Sequence, residues 1–255
     1  MNYVKVTELR KIFYTESGET LEALKELSFG CRRGELLCVL GPTGCGKTTL
    51  LRLIAGLDEP TGGNIKVDGL EYSGPNPKAT LVFQQYSLFP WRNVLDNVAF
   101  GLEVSGVRKK KRYEIARGFL SLVELDSFER SYPYELSGGM QQRVAIARAL
   151  ANNADILLMD EPFGALDERT RHRLQEELLS IWEREQKTIV FVTHNIDEAI
   201  FLADRILIMT NRPGKVLEEM KINLERPRDR ISEDFSEYYM RIRLLFEKAI
   251  TGAKG

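Results

Sequence analysis

Cysteine is scarce in this chain: only three of its 255 residues are cysteine, namely Cys31, Cys38 and Cys45. An odd, sparse set builds no disulfide framework, so a reducing compartment is expected. Neither sign of charge is in excess. The 36 Lys+Arg against 37 Asp+Glu leave a formal net charge of −1, which argues against a general nucleic-acid binder. Long apolar runs are missing too. The longest are Leu36–Leu40, Ile156–Met159 and Ile189–Val192, far short of the roughly 20 residues that cross a bilayer. The opening Met1-Asn2-Tyr3-Val4-Lys5-Val6 lacks the apolar stretch of a signal peptide. The chain is therefore expected to be soluble on its own, and to need recruitment if it works at a membrane. Hydrophobic residues make up 43% of it, enough for a packed core, which excludes a disordered or fibrous protein. The length suits one large domain or two intimate ones.

What is present is a sequence of α/β units. The first 34 residues alternate apolar and polar types between Gly18, Gly30 and Gly34, predicting short antiparallel strands. A buried strand is predicted over Glu35–Leu40, then a glycine-rich turn, then a helix over Lys47–Ala55. Residues 57–78 read as loop and hairpin, and Thr80–Phe83 as a short strand. From Tyr86 to Asn153 the helical period dominates. Strands return at Ile156–Met159, Thr188–Val192 and Arg205–Met209, alternating with helices at Glu168–Glu185 and Asn195–Leu202. An α/β core is thus interrupted by a helical insertion. In the tail, Phe235, Tyr239, Ile242 and Phe246 define one face of a helix over Ser232–Lys248.

The turn after the first buried strand is Gly41-Pro42-Thr43-Gly44-Cys45-Gly46-Lys47-Thr48, the spacing of a P-loop. Glycines let the backbone form a nest of inward N–H groups, and the next helix adds its positive end. Lys47 then reaches the β- and γ-phosphates and the Thr48 hydroxyl holds Mg²⁺, with Thr49 beside it. The spacing is not that of a dinucleotide fold. Cys45 inside this loop is either a small filler or, with its thiol pKa lowered by the helix dipole, a place where alkylation would block the site. The strand Ile156–Met159 runs into Asp160 and Glu161. An acid ending a buried strand beside a P-loop suits Mg²⁺, which is the reading of Asp160. The next acid, Glu161, points the other way and can orient or deprotonate a water. A second glycine site follows Ser137, a natural N-cap: Gly138 and Gly139 leave the first N–H groups of a helix uncovered, with no lysine nearby. Two phosphate-ready helix ends and one lysine suggest two copies sharing a nucleotide.

With that string the chain resembles the ATP-binding subunit of ATP-binding cassette (ABC) transporters. Leu136–Arg143 (LSGGMQQR) is similar to the family signature, beside the P-loop at Gly41–Thr48 and ILLMDE at Ile156–Glu161. Val39–Leu57 and Val82–Leu102 are most similar to the nitrate, sulfonate, taurine and bicarbonate uptake group, as is the tail from Glu225 to Arg230.

The resemblance implies a P-loop NTPase core of RecA-like type with a mostly parallel sheet, an N-terminal antiparallel β subdomain and an inserted α-helical subdomain. Residues 1–85 and 154–222 would form the ATP-binding core, 86–153 the helical insertion and 223–255 the tail. It also implies roles for single residues. Gln84 would contact Mg²⁺ and link the site to the insertion. His194 would contact the γ-phosphate. Asp167, in Ala165-Leu166-Asp167, would cross a dimer, and Gln141 would join Ser137, Gly138 and Gly139 at the nucleotide. Phe13 would stack on adenine, with Tyr14 as the alternative. Two copies would sandwich two ATP molecules head to tail and drive a separate membrane permease, fed by an extracytoplasmic binding protein. The import direction comes from the subgroup alone. The other reading from the same family is a non-transport ATPase, as in cluster assembly; an exporter is disfavoured.

Three features stay outside this frame. Arg108–Arg112 (RKKKR) reads as a solvated helix start. Phe89-Pro90-Trp91 reads either as core or, as the family implies, as a groove for a membrane partner. Glu124 stands where the family often has glycine, and is expected to be a harmless surface change.

Overall fold

The computed structural model describes residues 2–14, 18–83, 87–152 and 154–251. Two sheets share the molecule. In the first, β1 (Asn2–Tyr14), β2 (Thr20–Arg32) and β4 (Gly62–Val67) pair antiparallel in the order β2-β1-β4. In the second, β3 (Leu36–Leu40), β5 (Ala79–Val82), β6 (Ile156–Asp160), β7 (Thr188–Thr193), β8 (Arg205–Met209) and β9 (Val216–Lys221) run in the order β5-β6-β7-β3-β8-β9. All pairs there are parallel except β8 with β9.

The parallel strands are apolar on both faces because both faces are covered. Leu37 and Val39 of β3, with Val190 and Val192 of β7, face a core shared with β1, β2 and helix α1 (Lys47–Ile54). Leu36, Cys38 and Leu40, with Ile189 and Phe191, face the other core. That second core takes in α2 (Val94–Val104), α3 (Lys109–Leu122), α4 (Gly138–Ala151), α5 (Glu168–Glu185), α6 (Ile196–Leu202) and α7 (Glu233–Thr251). Helices α2, α3 and α4 are consecutive and pack on one another. The α/β class, the parallel sheet, the antiparallel sheet and the inserted helices are as expected from the sequence.

Four local expectations need correction. The N-terminal strands are long, 13 residues each, not short. They bend through register shifts at Glu8 and Glu26, which take positive φ values of 48° and 51°, and those breaks make the alternation look discontinuous. Residues 57–78 contain β4, which joins the N-terminal sheet, and the expected hairpin is reduced to one antiparallel bridge at its end, Val67 with Leu70. Strand β9 is not expected from the sequence: its central residues Leu217, Glu218 and Glu219 are exposed, so the segment shows no clear apolar alternation, and it closes the sheet edge by backbone pairing with β8, with only Met220 buried in the core and Glu219 paired to Arg205. Finally, one position of the α7 face differs. Phe235, Ile242 and Phe246 pack on the core as expected, joined by Tyr238, Leu245 and Ala249, while Tyr239 is exposed.

The Tyr238 ring packs on the core and its hydroxyl accepts the Asn223 backbone N–H at 3.2 Å, while no such partner holds Tyr239 among the described hydrogen bonds. Tyr238→Phe is therefore expected to lower stability by about 0.5–1.5 kcal/mol, and Tyr239→Phe to leave it unchanged. Thermal or urea melts of the two variants check this.

Glu124 is not a free surface change. It follows α3 with φ 53°, a conformation glycine adopts without strain. Its carboxylate is ion-paired with Arg173 of α5, which ties the helical insertion to the core. The basic run is exposed over residues 108–111 as expected, with Lys111 paired to Glu114 at 2.9 Å, whereas Arg112 is half-buried and paired with Glu103 of α2 at 3.3 Å.

Candidate functional site

The carboxyl ends of β3, β6 and β7 lie level: Leu40 is paired with Thr193, and Asp160 with Val192. Crevices at such strand ends are where open α/β sheets bind ligands. Three segments leave the sheet there: the loop 41–46, the pair Asp160-Glu161, and Thr193-His194.

The loop folds as its glycines allow. Gly46, with φ 102°, is the residue before α1, and a Cβ there would lie 2.7 Å from Leu24 and 2.9 Å from the Ala23 carbonyl. No other residue type fits both the angle and the space. Lys47 is 6% exposed and its Nζ donates to the carbonyls of Gly41 at 2.7 Å and Pro42 at 3.1 Å. The same Nζ lies 3.8 Å from Glu161 Oε1. The other oxygen of Glu161, Oε2, lies 2.9 Å from His194 Nδ1. Glu161 holds φ 47°, and its backbone N–H donates to Val192 at 3.0 Å. That turn sends the two acids apart, Glu161 toward Lys47 and His194, Asp160 toward the Thr48 hydroxyl. Burial pushes the Asp160 carboxyl up, while the Thr48 hydrogen bond opposes the rise; Glu161 adds to it and Lys47 also opposes it.

A cleft of about 480 Å³ opens over these groups. Phe13, Thr43, Gly44, Gly46, Lys47, Thr48, Thr49, Glu161 and His194 line it, together with Leu21, Ala23 and Arg212. Phe13 lies at its wall with Lys11 Nζ 5.0 Å above the ring, whereas Tyr14 is outside it and 73% exposed. Sequence reasoning misses Arg212, because an arginine in a loop after β8 carries no pattern. Gly41 and Pro42 do not line the cleft but hold the Lys47 ammonium through their carbonyls, and Cys45 is fully buried. The Cys45 expectation is corrected: burial raises the thiol pKa and outweighs the opposing influence of Lys47 and nearby backbone N–H groups, so it is the filler reading that fits. Cys31 and Cys38 are also free and buried.

Gln84 lies outside the described residues. The remaining expected residues are not in this cleft. Ser137 caps α4, accepting the Met140 N–H at 3.4 Å, with Gly138 and Gly139 in its first turn. Gln141 donates to the Leu136 carbonyl at 3.2 Å. Asp167 caps α5, accepting from Thr170 N–H at 3.0 Å, and this bond holds its carboxyl below the usual range. It lines a separate, larger cleft of about 990 Å³ that holds no P-loop residue. One further link has no signal in the sequence. Gln142 of α4 is 1% exposed and donates Nε2 to the Pro162 carbonyl at 2.7 Å, joining the second glycine site to the residue after Glu161.

A family model described as ABC transporter matches residues 24–164. The chain belongs to the ABC transporter family. Its activity is that of an ABC-type ATPase. Among curated relatives, an uncharacterized ABC transporter ATP-binding protein of Methanocaldococcus jannaschii is 56% identical over 239 residues, 94% of this chain and 89% of its own length. The nitrate import ATP-binding protein NrtD of Synechocystis is 48% identical, covering 89% of this chain and 87% of its own. The aliphatic sulfonates import ATP-binding protein SsuB of Bacillus anthracis is 44% identical, covering 96% of each. A solved dimeric bacterial ABC transporter cassette superposes with a TM-score of 0.78 at 34% identity, over 87% of this chain and all of its own. Another structure of that cassette, a post-hydrolysis state, is bound to ADP and phosphate. Within this ABC protein no described helix is long and apolar enough to cross a membrane.

Proposed function

We propose that this ABC ATPase works as a head-to-tail dimer that couples ATP hydrolysis to solute import through separate membrane permease subunits. The observation that supports it is the division of the site. Phosphate, metal and water groups converge on one cleft, while Ser137, Gly138, Gly139 and Gln141 present a second set of helix-end donors away from it. A second copy facing the first would bring those donors to the nucleotide, and Asp167 to the dimer face. The dimeric cassette among the relatives supports the arrangement.

Within each cleft, the N–H groups of residues 41–46 and Lys47 bind the phosphates, Phe13 stacks on the base, His194 holds the γ-phosphate and Glu161 takes the proton of the attacking water. Thr48 and Asp160 fit Mg²⁺: a hydroxyl and a buried carboxylate are hydrogen-bonded together, and Mg²⁺ takes one or two protein oxygens beside substrate phosphates. Gln84 is a further ligand in this reading. The ion, when bound, neutralises phosphate charge. The division into an ATP-binding core (1–85 and 154–222), a signature insertion (86–153) and a tail (223–255) belongs to the same reading.

The permease contact is placed at Phe89 and Trp91. Trp91 is 72% exposed, with the Phe89 ring 5.6 Å from it. A core role does not fit so exposed a ring, and an aromatic of this size in the open suits a partner. The location follows: the cytoplasmic face of the membrane, held there by the permease. The relatives named for nitrate and sulfonate import favour a small oxyanion as the solute and a transport role over cluster assembly.

The test is a gentle detergent pull-down of the tagged chain from its own cell membranes. Two integral membrane subunits are expected to co-purify, and proteoliposomes rebuilt from them to take up nitrate or a sulfonate only with ATP. Recovery of soluble partners alone would overturn the transport reading and leave the ATPase standing.

A further inference from the structure

Behind the cleft runs a line of polar groups that the proposed phosphate binding and hydrolysis do not use. It begins in the segment just before α7, which lies outside the stretch matched by the family model. Three arginines there, Arg226, Arg228 and Arg230, close on α6, the short helix that starts two residues after His194. Arg228, 6% exposed, donates Nη1 to the carbonyls of Ile200, Phe201 and Ala203, at the negative end of that helix. Arg226 donates to the Leu202 carbonyl and to Asp204, with its guanidinium 4.6 Å from the Trp182 ring centre. These two hold the far end of α6.

Arg230 reaches further. Its Nε meets Asp197 Oδ1 at 3.0 Å, its guanidinium lies 3.5 Å over the Phe201 ring, and its Nη2 donates to Gln175 Oε1 at 2.5 Å. Gln175, on α5, is 1% exposed. Its Nε2 donates to Glu198 Oε1 at 2.9 Å. The amide is thus oriented at both ends, oxygen to the arginine and nitrogen to the glutamate. Glu198, itself buried, is hydrogen-bonded to the Thr193 side chain, and its N–H donates to Asn195 Oδ1 at 3.3 Å. Thr193 Oγ1 in turn accepts the Asn195 N–H at 3.0 Å. Glu198 therefore holds both ends of the turn that carries His194, Thr193 through its carboxylate and Asn195 through its backbone N–H. A small cavity of about 80 Å³ separates them from the cleft, with Glu198 on one wall and Glu161 and His194 on the others.

Packing alone does not call for this. A buried glutamine and glutamate cost free energy unless every bond is made, and leucine would fill the space on α5. We propose that Arg230, Gln175 and Glu198 are positioning residues for hydrolysis, holding the Thr193–Asn195 turn so that His194 stays within hydrogen-bond reach of Glu161. The proposal rests on the roles given to His194 and Glu161 under the proposed function. Through it the tail segment acts on the chemical step without touching the nucleotide.

The test uses the full chain with ATP and Mg²⁺ and compares Arg230→Ala, Gln175→Leu and His194→Ala. The leucine variant keeps the volume, so it covers the case in which Arg230→Ala does not fold. Since a misplacement of about 1 Å can cost about 100-fold in rate, kcat is expected to fall about tenfold or more in the first two, with KM for ATP within about twofold. The chain has only two histidines, so imidazole NMR signals resolve His194 directly, and its signals are expected to move in both variants. Unchanged kcat and unchanged His194 signals, while His194→Ala loses turnover, would overturn the relay. A kcat loss no larger than the loss of folded protein in a melt at the assay temperature would also overturn it, as general destabilisation. Normal turnover in His194→Ala would instead remove the role given to His194, and the relay with it.

Discussion

Glu161→Gln is expected to bind ATP as the native chain does and to lose about 10²–10⁴-fold in kcat, the usual contribution of a positioned base. The geometry supports so large an effect from so small a change. One carboxylate oxygen is 2.9 Å from His194 Nδ1 and the other 3.8 Å from Lys47 Nζ. Glutamine keeps the shape and the left-handed backbone at this position but cannot accept a proton at working pH. Because ATP would then bind and not be consumed, the dimer should persist. Light scattering after gel filtration with ATP is expected to show twice the mass seen without it. Turnover at the native rate would remove Glu161 from the role of base, and a monomer with ATP bound would count against the head-to-tail arrangement.

Lys47→Ala should act on binding instead. A hydrogen bond to a charged group contributes about 1.5–3 kcal/mol, so ATP affinity is expected to fall about ten- to a hundredfold. The lysine does not wait in solvent: its ammonium is already held by the Gly41 and Pro42 carbonyls and lies near Glu161. Phosphate oxygens must replace those carbonyls, so the observed loss is the difference between two sets of bonds. Equilibrium binding of a fluorescent ATP analogue measures it, and a melt without nucleotide separates it from any loss of fold. Affinity unchanged within about twofold would show that the loop N–H groups alone hold the phosphates.

Much of this site is legible in the amino-acid sequence. The loop at 41–48, the acids at 160–161 and the histidine at 194 are each local patterns, set by one strand end and the turn after it. Local chemistry specifies them because the glycine angles, the helix start and the acidic strand end are all encoded within a few residues. Tyr239 against Tyr238 shows where this stops. Both positions suit an amphipathic helix, and the packing of Tyr238 on the core, with a hydrogen bond from Asn223 15 residues away in sequence, selects the inward ring. Strand β9 shows the same limit, since an edge strand paired along its backbone and anchored by one buried residue, Met220, needs no alternating apolar pattern. Cys45 shows it for reactivity: the helix dipole is visible in sequence, but the burial that outweighs it is not.

The sequence by itself determined the class of fold, the phosphate loop, the paired acids and the family. Each depends on contacts within a single turn or on the period of one element. Tertiary structure decided which of those residues meet. It brought Lys47, Glu161 and His194 into one cleft, by pairing β3, β6 and β7 with level ends. It kept Ser137 and Gly139 out of that cleft. It laid the arginines of the tail across α6 and onto Gln175. Such meetings are set by which strands pair and which helices cover them, and no local pattern carries that information.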